Sequence, residues 1–166
     1  MSDVEERLRR LEDRAALQDL IVRYFVAADD DDYETLGACF ADDGAFSAGG
    51  FPGGTTRQEI VDFIRADRES MAATVHTPDF LLLDFEGDDA ATGVVGAHLE
   101  LGRGGTTLFG AVRYFDRYAR GADGRWQITS REMRTKHVGP WDEVASSLTS
   151  KLSVRWPGID PLPAEV

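Results

Sequence analysis

The hydrophobic positions along the chain change period partway through. From about residue 3 to about residue 28, Leu8, Leu11, Ala15, Leu20 and Tyr24 recur at helical spacing, with Arg, Glu and Asp between them. This predicts one long helix, buried most deeply along its apolar second half, LQDLIVRYFVAA. Four consecutive aspartates, Asp29 to Asp32, end it, because Asp favours caps and turns over helix interiors. YETLGACF then reads as a short helix with Asp32 as its N-cap. The segment DDGAFSAGGFPGG is turn-rich, with a short strand around Ala45 to Ser47. In TTRQEIVDFIRADRES, Thr56 and Glu59 stand at capping-box spacing ahead of Ile60, Phe63 and Ile64, which predicts a further helix.

From Thr74 onward the pattern becomes strand-like. Four long segments are separated by the turn signals EGDDA, GRGG and GADG, which predicts an antiparallel meander. After residue 138 the pattern fades into a tail, with a short helix expected near Asp142 to Leu148 and a Pro-rich, extended end. Helices followed by a run of strands define an α+β architecture, with helices on one face of a sheet. A curved sheet wrapped around a long helix leaves a concave pocket between them. The expected division is a barrel over 1–138 and a tail over 139–166, packed on the barrel or on a neighbouring subunit.

Composition narrows the partners. The 166 residues suit one domain, and 30 acidic against 18 basic residues give a net charge of −12. That balance argues against general nucleic-acid binding and against an anionic membrane surface. The lone Cys39 permits no intrachain disulfide, and its apolar neighbours mark it as a buried structural thiol. The charged opening MSDVEERLRRLEDR is unlike a signal peptide, and no apolar run reaches transmembrane length, so the expected compartment is the cytoplasm. No histidine pair has metal-ligand spacing, and there is no phosphate loop or nucleophile elbow. No metal or cofactor is expected.

Candidate chemistry therefore rests on a few polar side chains. Helix register stacks Ala28 on Tyr24 and Asp29 on Phe25, so Asp29 is the first carboxylate still attached to the buried helix. Asp30 and Asp31 are expected to fan into solvent. Simple alternation in VHTPDFLLLD puts His76, Pro78, Phe80, Leu82 and Asp84 on one face, with His76 either a pocket base or a core histidine bonded to a backbone carbonyl. His98 shares a face with Gly96 and Glu100, opposite the greasier Val95, Ala97, Leu99 and Leu101, and either face suits a pocket. His137, at the end of the last strand, is expected to be exposed. Arg113, Arg131 and Arg134 are strand arginines within reach of a substrate. Trp126 and Ile128 set the inward parity of the last strand, which Arg134 shares and Arg131 shares only if a bulge intervenes. Phe46, Phe51, Phe63, Phe80, Phe109 and Trp141 are candidate pocket walls, with ordinary core packing as the alternative.

Three segments in this order, LEDRAALQDLIVRYFVAADDDDYETLGACFADD, HTPDFLLLDFEGDDAATG and VRYFDRYARGADGRWQITSREM, resemble the SnoaL-like family of the nuclear-transport-factor-2-like superfamily over roughly residues 8 to 138. The resemblance implies a cone-shaped α+β barrel. It also implies the His–Asp dyad of the family's dehydratases and dehydrochlorinases, at His76 and Asp29. A catalytic tyrosine falls at Tyr24, and a catalytic arginine at Arg131 or nearer Arg134. Two family positions depart: a tyrosine before the aspartate is Ala28 here, and a second histidine falls near Gly104, with His98 on the same strand as a stand-in. The implied function is a cofactor-independent lyase of the dehydratase type, acting by β-elimination on a small, mostly apolar cyclic substrate. Isomerase, polyketide cyclase or non-catalytic small-molecule binder are the alternatives. Catalytic candidates are Asp29, His76, Tyr24 and Arg131; substrate-binding candidates are His98, Arg113, Arg134, Phe46, Phe80 and Phe109. A homo-oligomer is expected, a trimer before a dimer.

Overall fold

The computed structural model describes residues 3–165. It begins with a 27-residue helix, α1 (Asp3–Asp29), followed by α2 (Tyr33–Ala38), strands β1 (Phe40–Ala48) and β2 (Phe51–Gly54), and α3 (Arg57–Arg68). The meander is β3 (Met71–Phe85), β4 (Ala90–Arg103), β5 (Thr106–Arg120) and β6 (Trp126–Pro140), and a 3₁₀ turn follows at Trp141–Ser146. The six strands form one sheet in the order β2-β1-β6-β5-β4-β3, antiparallel except where β1 runs parallel to β6. The sheet curves around the second half of α1, whose Leu17, Leu20, Ile21, Tyr24 and Phe25 are buried. This is the α+β barrel the sequence predicts. No helix among the described residues is long and apolar enough to cross a membrane.

The helix ends follow their local chemistry. Asp31 takes a left-handed conformation (φ 57°), which Asp tolerates better than most residues. This lets the Asp32 N–H reach back to the Ala27 carbonyl at 2.9 Å and close α1 immediately after Asp29. Asp32 then caps α2, accepting from the Thr35 N–H at 3.0 Å. Thr56 caps α3, and Glu59 folds back to the Thr55 N–H at 2.8 Å. Asp31 does not simply fan into solvent: Arg68 grips it with two bonds (2.8 and 3.0 Å) and the Tyr33 hydroxyl donates a third (3.0 Å).

Single-residue bulges late in β3 and within β6 decide which of their side chains face the barrel interior. In β3, Pro78 pairs with Ala97 but Phe80 pairs with Gly96, so Asp79 is an extra residue. His76 and Pro78 therefore face inward, while Phe80, Leu82 and Asp84 face outward. Simple alternation fails here: Phe80 is 51% exposed, its ring lying on Gly96, where any Cβ would collide with it. In β6 the extra residues are Thr129 and Lys136. The first bulge turns Arg131, Met133 and Thr135 inward behind Trp126 and Ile128; the second restores Val138 to the interior. Arg134 is thereby placed outside, paired with Glu132, contrary to its simple parity.

The outer face also receives Arg113, His98 and Phe109, none of which reaches the interior. His137 is on this face too, but it is 8% exposed rather than open, tilted against Phe109 at 6.0 Å. Phe51 and Trp141, offered as pocket walls, are 70% and 54% exposed. Cys39 is buried, and burial pushes its thiol up to about 11, which suits an inert structural role. The tail runs back along its own β6: Val154 bridges Val138 and Leu162, and the Glu165 carboxylate accepts from the Thr135 N–H at 2.6 Å.

Candidate active site

The last turn of α1 delivers Asp29 to the inner face of β3, the edge strand. Its carboxylate accepts three bonds there: Oδ1 from the Thr74 hydroxyl (2.8 Å) and from His76 Nδ1 (2.6 Å), and Oδ2 from the His76 backbone N–H (2.7 Å). The backbone bond uses an edge-strand amide that no neighbouring strand would satisfy. Burial pushes the Asp29 carboxyl upward, but the hydrogen bonds and charge of His76, with the Thr74 hydroxyl, outweigh it and hold the carboxyl below its ordinary value. An ionised carboxylate only accepts, so in the neutral imidazole Nδ1 carries the proton and Nε2 presents a lone pair. Among the described residues nothing bonds to Nε2. The ring is fixed from the other side by Phe25, stacked at 5.1 Å and 16°.

His76 lines a cavity of about 110 Å³ between α1, α3 and the sheet. Tyr24, Phe46, Phe63, Met71, Leu99, Tyr114 and Met133 make up most of its wall, which Asp67, Arg68, Thr74, Glu100 and, from the tail, Trp156 complete. The aromatics interlock edge to face, with Phe40 against Phe46 (6.3 Å) and Phe25 against Tyr114 (5.4 Å). A larger cleft of about 820 Å³, between α1, α2 and the β5–β6 turn, contains none of the residues the sequence selects for chemistry. Among the described residues no three His, Cys, Asp or Glu side chains come together as a metal site.

Arg131 is not a cavity-lining group. It lies behind the wall, fully buried, with Nε and Nη2 gripping Asp116 at 2.8 and 2.7 Å while Tyr118 donates to the same carboxylate at 2.5 Å. Its guanidinium lies over the rings of Tyr24 (4.2 Å) and Tyr114 (4.8 Å). Burial raises the phenol of Tyr24 even against the lowering effect of Arg131, so Tyr24 is a donor and not a base.

Of the sequence-predicted site residues, the fold brings together Asp29, His76, Tyr24 and Phe46, places Arg131 behind them, and sends His98, Arg113, Arg134, Phe80 and Phe109 to the opposite face. Sequence reasoning missed Thr74 and Tyr114. Thr74 and Tyr114 lie on the inner rows of β3 and β5, and a correct face assignment for each strand would have found them. The sequence leaves the tail, with Trp141 and Trp156, either over its own pocket or on a neighbour; the fold brings Trp156 to the cavity and leaves Trp141 exposed.

The chain belongs to the SnoaL-like domain family, which matches residues 9–132. Among solved structures it is similar to LinA, at 25% identity over 83% of this chain and 95% of that one, with a TM-score of 0.77. It is also similar to a putative scytalone dehydratase from Novosphingobium aromaticivorans, at 20% identity over 80% and 90% of the two chains, with a TM-score of 0.73. ActVI-ORFA from Streptomyces coelicolor follows at 20% identity over 74% and 96%, with a TM-score of 0.65. A comparison with curated proteins gave no match.

Proposed function

We propose that this protein is a cofactor-independent lyase that carries out β-elimination on a small, mostly apolar cyclic molecule. The observation that carries the reading is the free Nε2 of His76 in a mostly apolar cavity, its tautomer set by a carboxylate that itself has three bonds. A related structure is that of a hexachlorocyclohexane dehydrochlorinase, which supports elimination as the reaction class.

In the proposed step, Nε2 removes a proton from a ring carbon. The C–H electron pair becomes the C=C bond, and the group on the adjacent carbon leaves with its own pair. Halide departs as such, whereas hydroxide takes the proton from Nε2 and leaves as water. Asp29 stabilises the imidazolium between these events. Tyr24 contributes a donor in a site where little water competes, which strengthens its effect on developing charge.

The test is His76→Ala, assayed on single-ring β-halo and β-hydroxy substrates by halide release and by ultraviolet absorbance of the new double bond. The variant should fold and lose roughly 10²–10⁴-fold in turnover, the usual contribution of a positioned base. Turnover at the wild-type rate would sink the dyad.

A further inference from the structure

The carboxylates around the cavity leave little room for a second charge of their sign to go unnoticed. Asp29 is held by His76 and Thr74, Asp67 pairs with Arg103, and Glu100 stands exposed between the buried Leu99 and Leu101. Arg68, the last residue of α3, lines the same cavity as His76 and is committed on one edge only. Its side chain is 10% exposed, and Nε and Nη2 meet the two oxygens of Asp31. Nη1 is buried and has no hydrogen-bond partner among the described residues. Buried polar atoms are rarely left this way, because desolvation then goes uncompensated, and the cost rises for a charged group.

A guanidinium is a rigid planar fork with more than one usable edge. Asp31 fills the edge made by Nε and Nη2 and thereby fixes the plane of the group. The edge made by Nη1 and Nη2 presents a second pair of parallel N–H donors, whose spacing matches the two oxygens of a carboxylate. We propose that this edge of Arg68 binds the carboxylate of the ligand, and that the ligand is therefore a small carboxylic acid whose apolar part fills the cavity. Size limits that part to one ring: an apolar cavity of about 150 Å³ holds benzene, and this one measures about 110 Å³. Phe46, Phe63, Leu99 and Met133 offer the ring no competing polar contact, so the carboxylate alone would set its orientation in front of His76. The inference rests on the lyase reading for the use of the site, but binding at Arg68 needs no elimination step.

The experiment is calorimetric titration of the full chain with benzoate and with benzamide at neutral pH, probes of nearly equal shape that differ in charge. The wild type should bind benzoate about ten-fold tighter, the contribution of a hydrogen bond to a charged group. Arg68→Gln should lose that preference and still bind benzamide. Arg65→Gln, the same change of charge on the exposed side of α3, should keep it. Asp31→Asn removes the competing carboxylate and leaves the arginine in place, so it should tighten benzoate several-fold and leave benzamide unchanged. A preference that survives in Arg68→Gln, or a wild type that binds the probes equally or not at all, overturns the inference. Should Arg68→Gln fail to fold, Asp31→Asn decides, and unchanged benzoate affinity there overturns the inference. His76→Ala should keep the preference; its loss would assign the carboxylate to the imidazole instead. Turnover by His76→Ala at the wild-type rate sinks the elimination chemistry without touching the preference, so the two failures are read separately.

Discussion

A histidine–aspartate pair and an arginine–carboxylate pair can be compared on each face of the sheet. Outside, His98 Nδ1 meets Asp79 at 2.8 Å and Arg134 meets Glu132 at 2.8 Å. Inside, His76 meets Asp29 at 2.6 Å and Arg131 meets Asp116 at 2.7 Å. Distances barely distinguish the sets; surroundings do. The side chains of His98 and Asp79 are 45% and 34% exposed, against 16% and 18% for His76 and Asp29. Asp29 is also held by Thr74 and a backbone amide. Water competes for the outer pair and screens it, so its geometry is one of many. The inner pair has a single arrangement and a cavity in front of it. Proximity of a base and an acid is therefore a poor sign of chemistry, and fixed orientation beside an enclosed space is a better one.

The sharpest test of this contrast exchanges the two aspartates for asparagine. Asp29→Asn keeps the shape but lets the amide impose the wrong imidazole tautomer, and kcat should fall roughly 10³–10⁴-fold. Asp79→Asn should leave kcat within about two-fold. Similar losses in both would erase the distinction between the faces.

The arginine pairs should differ in stability instead. Asp116→Ala strands a fully buried guanidinium and should destabilise the fold by about 3–5 kcal/mol in urea denaturation. Glu132→Ala, on the solvent side, should give no resolvable change in midpoint.

The smallest effect concerns acid. The Asp29 carboxyl is held below its ordinary value in the folded state, so the unfolded chain binds the proton first. The stabilisation is complete above the ordinary carboxylate range, about pH 4, and is lost as pH falls through the folded value. Asp29→Asn should therefore flatten the acid limb of the denaturation midpoint plotted against pH. An unchanged acid limb would mean that the His76 contact contributes nothing net to folding.

Much of the frame was legible in the sequence. Periodicity located α1, the capping box located α3, and Gly/Asp turns separated the meander strands. Helix register singled out Asp29 from its three neighbours, and the family resemblance paired it with His76. The faces of β3 and β6 were not legible beyond their bulges. An extra residue leaves both flanking patterns intact and changes only their relative phase, so Phe80 and Arg134 read as inward. His98 and Phe109 are aromatic positions that pack on each other at 5.5 Å on the outer face, where an apolar pattern signals burial but not which side is buried. Tyr114 stayed hidden because its row on β5 includes Asp116, a charge that argues for the outside until Arg131 is placed opposite it.

The bulges of β6 have a further consequence. Between Thr129 and Lys136 the strand runs out of phase with its two ends, and Arg131, Met133 and Thr135 point inward only within that window. A point substitution can change what a side chain is, but it cannot move that side chain to the other face. Loss or gain of one residue can do so, for every position up to the next bulge at once. In this barrel, a change in strand length of a single codon would exchange the inward-facing side chains along that whole window.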